Sequence, residues 1–106
     1  MMSDVQQRIH SMVTDNKVLL FMKGTPDAPQ CGFSARASAL LKETGEPFAA
    51  YNVLVDPEIR EGIKVYGNWP TIPQLYVNGE LIGGCDVITE LFQSGELKDV
   101  LKDEKA

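Results

Sequence analysis

Val5, Ile9, Met12 and Val13 fall on one side of a helix, and Ser3 and Gln6 precede them at the spacing of a capping box. A first helix is therefore expected over 3–15. Residues 17–23 form a short apolar run between lysines, with the length and flanks of a buried strand. Gly24, Pro26 and Pro29 make the next six residues a loop. From Cys31, the positions of Ala35, Ala37, Leu40 and Leu41 predict a second helix ending near Gly45, and 48–55 reads as a strand. Asp56-Pro57 is an N-cap followed by proline at the first helical position, starting a helix that runs to about Tyr66.

Gln74 to Val77 and Leu81-Ile82 flank Asn78-Gly79, the signature of a type I′ hairpin pairing two antiparallel strands. Asp86 is expected to cap a helix to about Ser94; Gly95 breaks it, and 96–102 forms a last helical segment. The order is α-β-α-β-α-ββ-α-α. A β-α-β unit followed by a hairpin predicts an α/β fold, a small mixed sheet with helices on both faces. Its first two strands should run parallel through a right-handed crossover.

The 106 residues suit a single domain spanning 1–106, and 43% hydrophobic content supplies a core without disulfides or a structural metal. Ten Lys and Arg against fifteen Asp and Glu leave a net charge of −5, which argues against a nucleic-acid partner. Two cysteines do not make a disulfide scaffold. The longest apolar run, Val18 through Met22, falls far short of the ~20 residues that span a bilayer. Neither a secretory apolar segment nor an Arg-rich, acid-poor start is present, so the expectation is a soluble cytoplasmic chain with no membrane partner.

The candidate chemistry begins at Cys31. It follows a proline-bearing loop and opens a predicted helix, where free N–H groups and the helix dipole favour a thiolate. A reactive thiol is the reading that position supports.

Cys31-Gly32-Phe33-Ser34, after a strand ending in Lys23-Gly24-Thr25-Pro26, resembles the active-site motif of the monothiol glutaredoxins. The resemblance continues, in order and spacing, through Trp69-Pro70-Thr71-Ile72-Pro73-Gln74, Val77-Asn78-Gly79 and Gly83-Gly84-Cys85-Asp86, and covers nearly the whole chain. It implies a thioredoxin-like (glutaredoxin) fold with a four-stranded mixed sheet. Ser34 stands where dithiol relatives carry a second cysteine that resolves mixed disulfides. Either glutathione supplies the second thiol, or disulfide exchange is not the main task.

Glutathione carries two carboxylates and one ammonium. Lys23 and Arg60 match the family's contacts to its carboxylates, and Asp86 the contact to its amine. The resemblance further implies a cis peptide before Pro73, with Ile72 offering its backbone to the cysteine of glutathione in the manner of an added strand. Many relatives carry an aromatic residue at position 72, so stacking is not expected from isoleucine. Cys85 would line the glutathione site without binding iron, or be a small hydrophobe packed by Gly84; Trp69 reads equally as core or as a border of the site.

A [2Fe–2S] cluster takes four ligands. One chain offers Cys31, Cys85 and His10, the last expected to be a surface residue. The resemblance implies that Cys31 is the metal ligand, with two Cys31 thiolates from a homodimer and two glutathione thiolates completing the set. The leading expectation is thus a carrier that delivers such clusters to iron–sulfur acceptor proteins; the resemblance also suggests a regulatory partner of the BolA type that replaces one protomer. The alternative is a glutathione-dependent thiol–disulfide oxidoreductase that removes glutathione from proteins. A third class is a non-catalytic thioredoxin-like adaptor.

Overall fold

The computed structural model describes residues 2–103. Helix α1 (Asp4–Asp15) leads into strand β1 (Val18–Met22), helix α2 (Gly32–Glu43) and strand β2 (Ala49–Asn52). A 3-10 turn (Val53–Val55) precedes α3 (Pro57–Tyr66); then come β3 (Gln74–Val77), β4 (Glu80–Gly83), α4 (Cys85–Gln93) and α5 (Leu97–Lys102).

The sheet order is β2-β1-β3-β4. β1 runs parallel to β2 and antiparallel to β3, and β3 and β4 form the antiparallel hairpin, so the sheet is mixed as expected. Asn78 and Gly79 both have positive φ, 52° and 81°, as a type I′ turn requires. β1 lies in the middle, and all five of its residues are buried. Its period-two alternation feeds two cores. Val18, Leu20 and Met22 pack with Ala37 and Leu41 of α2, Ile88 of α4 and Leu97 of α5. Leu19 and Phe21 pack on the opposite face with Ile9 and Val13 of α1 and Ile59 and Ile63 of α3.

Three local expectations change. Ser3 does cap α1, accepting from the Gln6 N–H at 3.2 Å, but the Gln6 side chain donates to the Gly62 carbonyl at 2.9 Å. Gly62 lets α1 and α3 approach so closely that a Cβ there would lie 3.0 Å from Val5 and Ile9, which puts its carbonyl within reach of Gln6. The strand expected over 48–55 stops at Asn52, whose side-chain oxygen accepts from Leu54 N–H at 3.0 Å and turns the chain into the 3-10 element. Asp86 does not cap α4. The helix starts two residues earlier, with Gly84 as N-cap and its carbonyl accepting from Ile88 N–H at 3.0 Å.

Candidate functional site

Cys31 sits at the seam between β1 and α2, at the end of a loop closed on itself. Gln30 N–H donates to the Lys23 carbonyl at 3.0 Å, while Thr25 and Ala28 exchange backbone hydrogen bonds at 3.1 and 3.3 Å. Gly24, at φ +90°, makes the turn; a Cβ there would lie 2.6 Å from the Ala28 carbonyl oxygen. Its N–H donates to Asn52 Oδ1 at 2.9 Å, tying the loop to the end of β2. On the other side Lys42 of α2 reaches the Pro26 carbonyl at 3.0 Å.

The thiol is half-buried and occupies the N-cap of α2 without a side-chain cap hydrogen bond. Its pKa nevertheless lies below the ordinary thiol value. The Ser34 N–H favours the thiolate most; the Phe33 N–H, the Ser34 hydroxyl and the Lys23 ammonium act in the same direction, against desolvation. Ser34 is fully buried, and its hydroxyl accepts from the Lys23 backbone N–H at 3.0 Å. The residue that replaces a second thiol therefore also locks the end of β1 to the first turn of α2.

Beside α2 runs a groove of about 210 Å³ between the 69–73 loop and the start of α4. Phe33, 65% exposed, forms its rim on the α2 side; Trp69, Thr71, Ile72 and Pro73 line one wall, and Gly84, Cys85 and Asp86 the other. Ile72-Pro73 is a cis peptide, as the resemblance implied. The Ile72 N–H donates to no acceptor among the described residues, so its backbone edge is unpaired. Gly84 lets the two walls meet: a Cβ there would lie 3.1 Å from the Pro73 oxygen and 3.3 Å from Trp69 Nε1.

Ile72, Cys85 and Asp86 are thus brought to one groove, and Lys23 to the thiol. Cys85, 9% exposed, is the first residue of α4. The Asp86 carboxylate and the Lys23 ammonium make no ion pair among the described residues. Arg60 is the fourth residue of α3, closing its first turn, with its Nε buried and unpartnered, and no described contact joins it to Cys31. His10 is exposed, its Nδ1 2.9 Å from the Tyr66 hydroxyl. Among the described residues no three His, Cys, Asp or Glu side chains gather as a metal cage.

Sequence reasoning missed Arg36 and Gln74. Arg36 Nε donates to Thr89 Oγ1 at 3.1 Å, in a second cleft bordered by Phe33, Cys85 and Asp86. Gln74 is buried below the 69–73 loop and binds its carbonyls. Arg36 has no local signal because Thr89 belongs to a distant helix; the partners of Gln74 lie within five positions, but nothing in the residue types shows that its amide turns inward to bind them.

Comparison with known proteins matches the Glutaredoxin family model over residues 18–82. The chain is 55% identical over 107 residues to "Monothiol glutaredoxin-5, mitochondrial" of Saccharomyces cerevisiae, covering 98% of this chain and 71% of that one. It is 54% identical to "Uncharacterized monothiol glutaredoxin ycf64-like" of Synechocystis, covering 93% and 92%. "Monothiol glutaredoxin-S11" of rice is 52% identical over 99 residues, which are 93% of this chain but only 20% of that longer protein. Among solved structures, reduced poplar apo GrxS14 is 46% identical with a TM-score of 0.78 over 92% of this chain and 90% of that one. A monomeric truncated mutant of Trypanosoma brucei 1-C-Grx1 is 36% identical with a TM-score of 0.82, covering 96% and 93%. With its thioredoxin-like α/β fold and Ser34 in place of a second active-site thiol, the chain belongs to the glutaredoxin family, among the monothiol glutaredoxins.

Proposed function

We propose that this chain binds glutathione beside Cys31 and carries a [2Fe–2S] cluster between two protomers, delivering it to iron–sulfur acceptor proteins. The observation that carries the reading is a half-buried thiol of lowered pKa with a buried serine, not a second thiol, one helical turn away. Lys23 and Arg60 supply cations for the carboxylates of glutathione, and Asp86 an unpaired carboxylate for its ammonium. Ile72 supplies an unpaired backbone edge for its cysteine, and Cys85 lines the same groove without ligating iron.

The cluster is cargo. Each protomer contributes the Cys31 thiolate and each glutathione one more, making four ligands. Half of that set is exchangeable small molecule, which suits handing the cluster on. A BolA-type protein in place of one protomer is a natural regulator of such an assembly, and the cytoplasm the compartment we assign. The test is anaerobic reconstitution with iron, sulfide and glutathione, followed by sizing, with Cys31→Ser as control. A coloured dimer that needs both glutathione and Cys31 supports the reading; a colourless monomer that still binds glutathione overturns it.

The lowered thiol pKa also favours a second reading, glutathione-dependent disulfide exchange. The Cys31 thiolate attacks the glutathione sulfur of a protein–glutathione disulfide, and the protein thiolate leaves. A free glutathione thiolate then attacks the Cys31–glutathione disulfide, releasing glutathione disulfide and restoring Cys31. Turnover by metal-free protein distinguishes the two.

A further inference from the structure

Gln74 is a polar side chain with no exposed surface, placed at the start of β3 on the α1/α3 side of the sheet. Burying an amide is costly unless all of its groups are paired, so its partners state what it is for. Nε2 donates to the Trp69 carbonyl at 3.0 Å and to the Thr71 carbonyl at 3.1 Å. Oε1 accepts from the Tyr76 hydroxyl at 3.0 Å. Two carbonyls can only accept, so the nitrogen must face them and the oxygen must face Tyr76; the amide has one orientation.

The loop it holds has little else. Pro70 and Pro73 lack N–H groups, and among the described residues neither Thr71 nor Ile72 donates a backbone hydrogen bond. Trp69 N–H, bonded to the Lys64 carbonyl at 3.0 Å, is the anchor at the other end. Behind Gln74 the support is rigid. The Tyr76 ring packs edge-on against Phe21 at 5.7 Å, and Gly67 at the end of α3 leaves room for the pair, since a Cβ there would overlap the Tyr76 hydroxyl and lie 3.0 Å from Gln74 Oε1.

We propose that Gln74, braced by Tyr76, is a positioning residue of the thiol site: it holds the 69–72 loop by two carbonyls so that the Ile72 backbone edge faces the bound glutathione. The proposal rests on the glutathione reading above. It makes the groove wall a cantilever whose shape is set from inside the core.

Trp69 is the sole tryptophan of the chain and sits in this loop, so its fluorescence reports the loop directly. In Gln74→Met, of similar bulk but without donors, the emission shifts to the red and acrylamide quenching rises as the buried Trp69 Nε1 becomes wet. Affinity for reduced glutathione, measured by calorimetry, falls about tenfold or more as two hydrogen bonds are lost. The pH profile of Cys31 alkylation stays unchanged, because its determinants lie on α2 and Lys23. Tyr76→Phe keeps the ring and moves fluorescence and affinity the same way by less, and it carries the test if Gln74→Met does not fold. Unchanged Trp69 fluorescence in a folded variant overturns the proposal, as does a shifted Cys31 alkylation profile, which marks general damage. Equal glutathione affinity in wild type and variant removes the proposal alone; a wild type that binds no glutathione removes the glutathione reading and the proposal with it.

Discussion

Replacing Ser34 by alanine separates two duties of one buried hydroxyl. It accepts from the Lys23 N–H at 3.0 Å and it favours the Cys31 thiolate. Without it the Lys23 N–H has no acceptor among the described residues, and Ser34 has no exposed surface through which water could substitute. An unsatisfied buried donor costs about 1–3 kcal/mol. For a domain of this size, 4–8 °C of melting temperature accompanies each kcal/mol, so Ser34→Ala should melt about 10 °C lower. The Cys31 pKa should rise but stay below that of an ordinary thiol, because the Ser34 backbone N–H, its largest determinant, survives the substitution. Scanning calorimetry reads the first effect and iodoacetamide alkylation against pH the second. A melting temperature within about 2 °C of wild type would show that the Lys23 N–H is not desolvated. An unmoved alkylation midpoint would refute the hydroxyl's part in stabilising the thiolate.

Wild-type Cys31 should alkylate with a midpoint below that of an ordinary thiol, and Lys23→Gln should raise it only slightly, since the Lys23 charge is the smallest of the named contributions; a large rise would reverse that order. Asp56 accepts from Tyr51 at 2.7 Å, Arg8 at 2.9 Å and the Ile59 N–H at 3.3 Å, and the first two chiefly hold its carboxyl below the usual range. A lowered carboxyl pKa gives stability that is full above the ordinary value near 4 and lost as pH falls through the lowered one. Melting temperature should therefore drop on acidification below about pH 4 more steeply in wild type than in Asp56→Asn, and parallel pH profiles would count against the coupling. Gly24→Ala should destabilise by about 1–3 kcal/mol in urea melts, from positive φ and a Cβ forced onto the Ala28 carbonyl; an unchanged midpoint would refute the steric argument.

The parts of the fold that rest on neighbouring residues were legible in the chain. The apolar run of β1, the Asn78-Gly79 turn and the Asp56-Pro57 helix start each carry their cause within a few positions. Boundaries set by contacts were not. β2 ends early because the Asn52 side chain captures Leu54 N–H and Gly24 N–H together, and α4 starts at Cys85 because Gly84 supplies the first helical carbonyl. The same division holds at the site. Cys31 was found from its place ahead of a helix, whereas Gln74 was seen only as part of a motif: its partners lie within five positions, but its inward orientation is set by burial against the α1/α3 face of the sheet.

The self-closed loop ahead of Cys31 has a consequence for how this surface can diverge. Its neck is the Gln30–Lys23 hydrogen bond, and residues 25–28 lie beyond it, bonded to one another. The neck holds the head of α2 to the end of β1, while residues 25–28 are held to one another and, through Lys42, to the far end of the same helix. Within them Asp27 turns its carboxylate almost wholly to solvent, so the charge at this rim can change without touching the neck. The charge presented beside the thiol and the hydrogen bond that holds the head of α2 are thus set by different residues of one short loop.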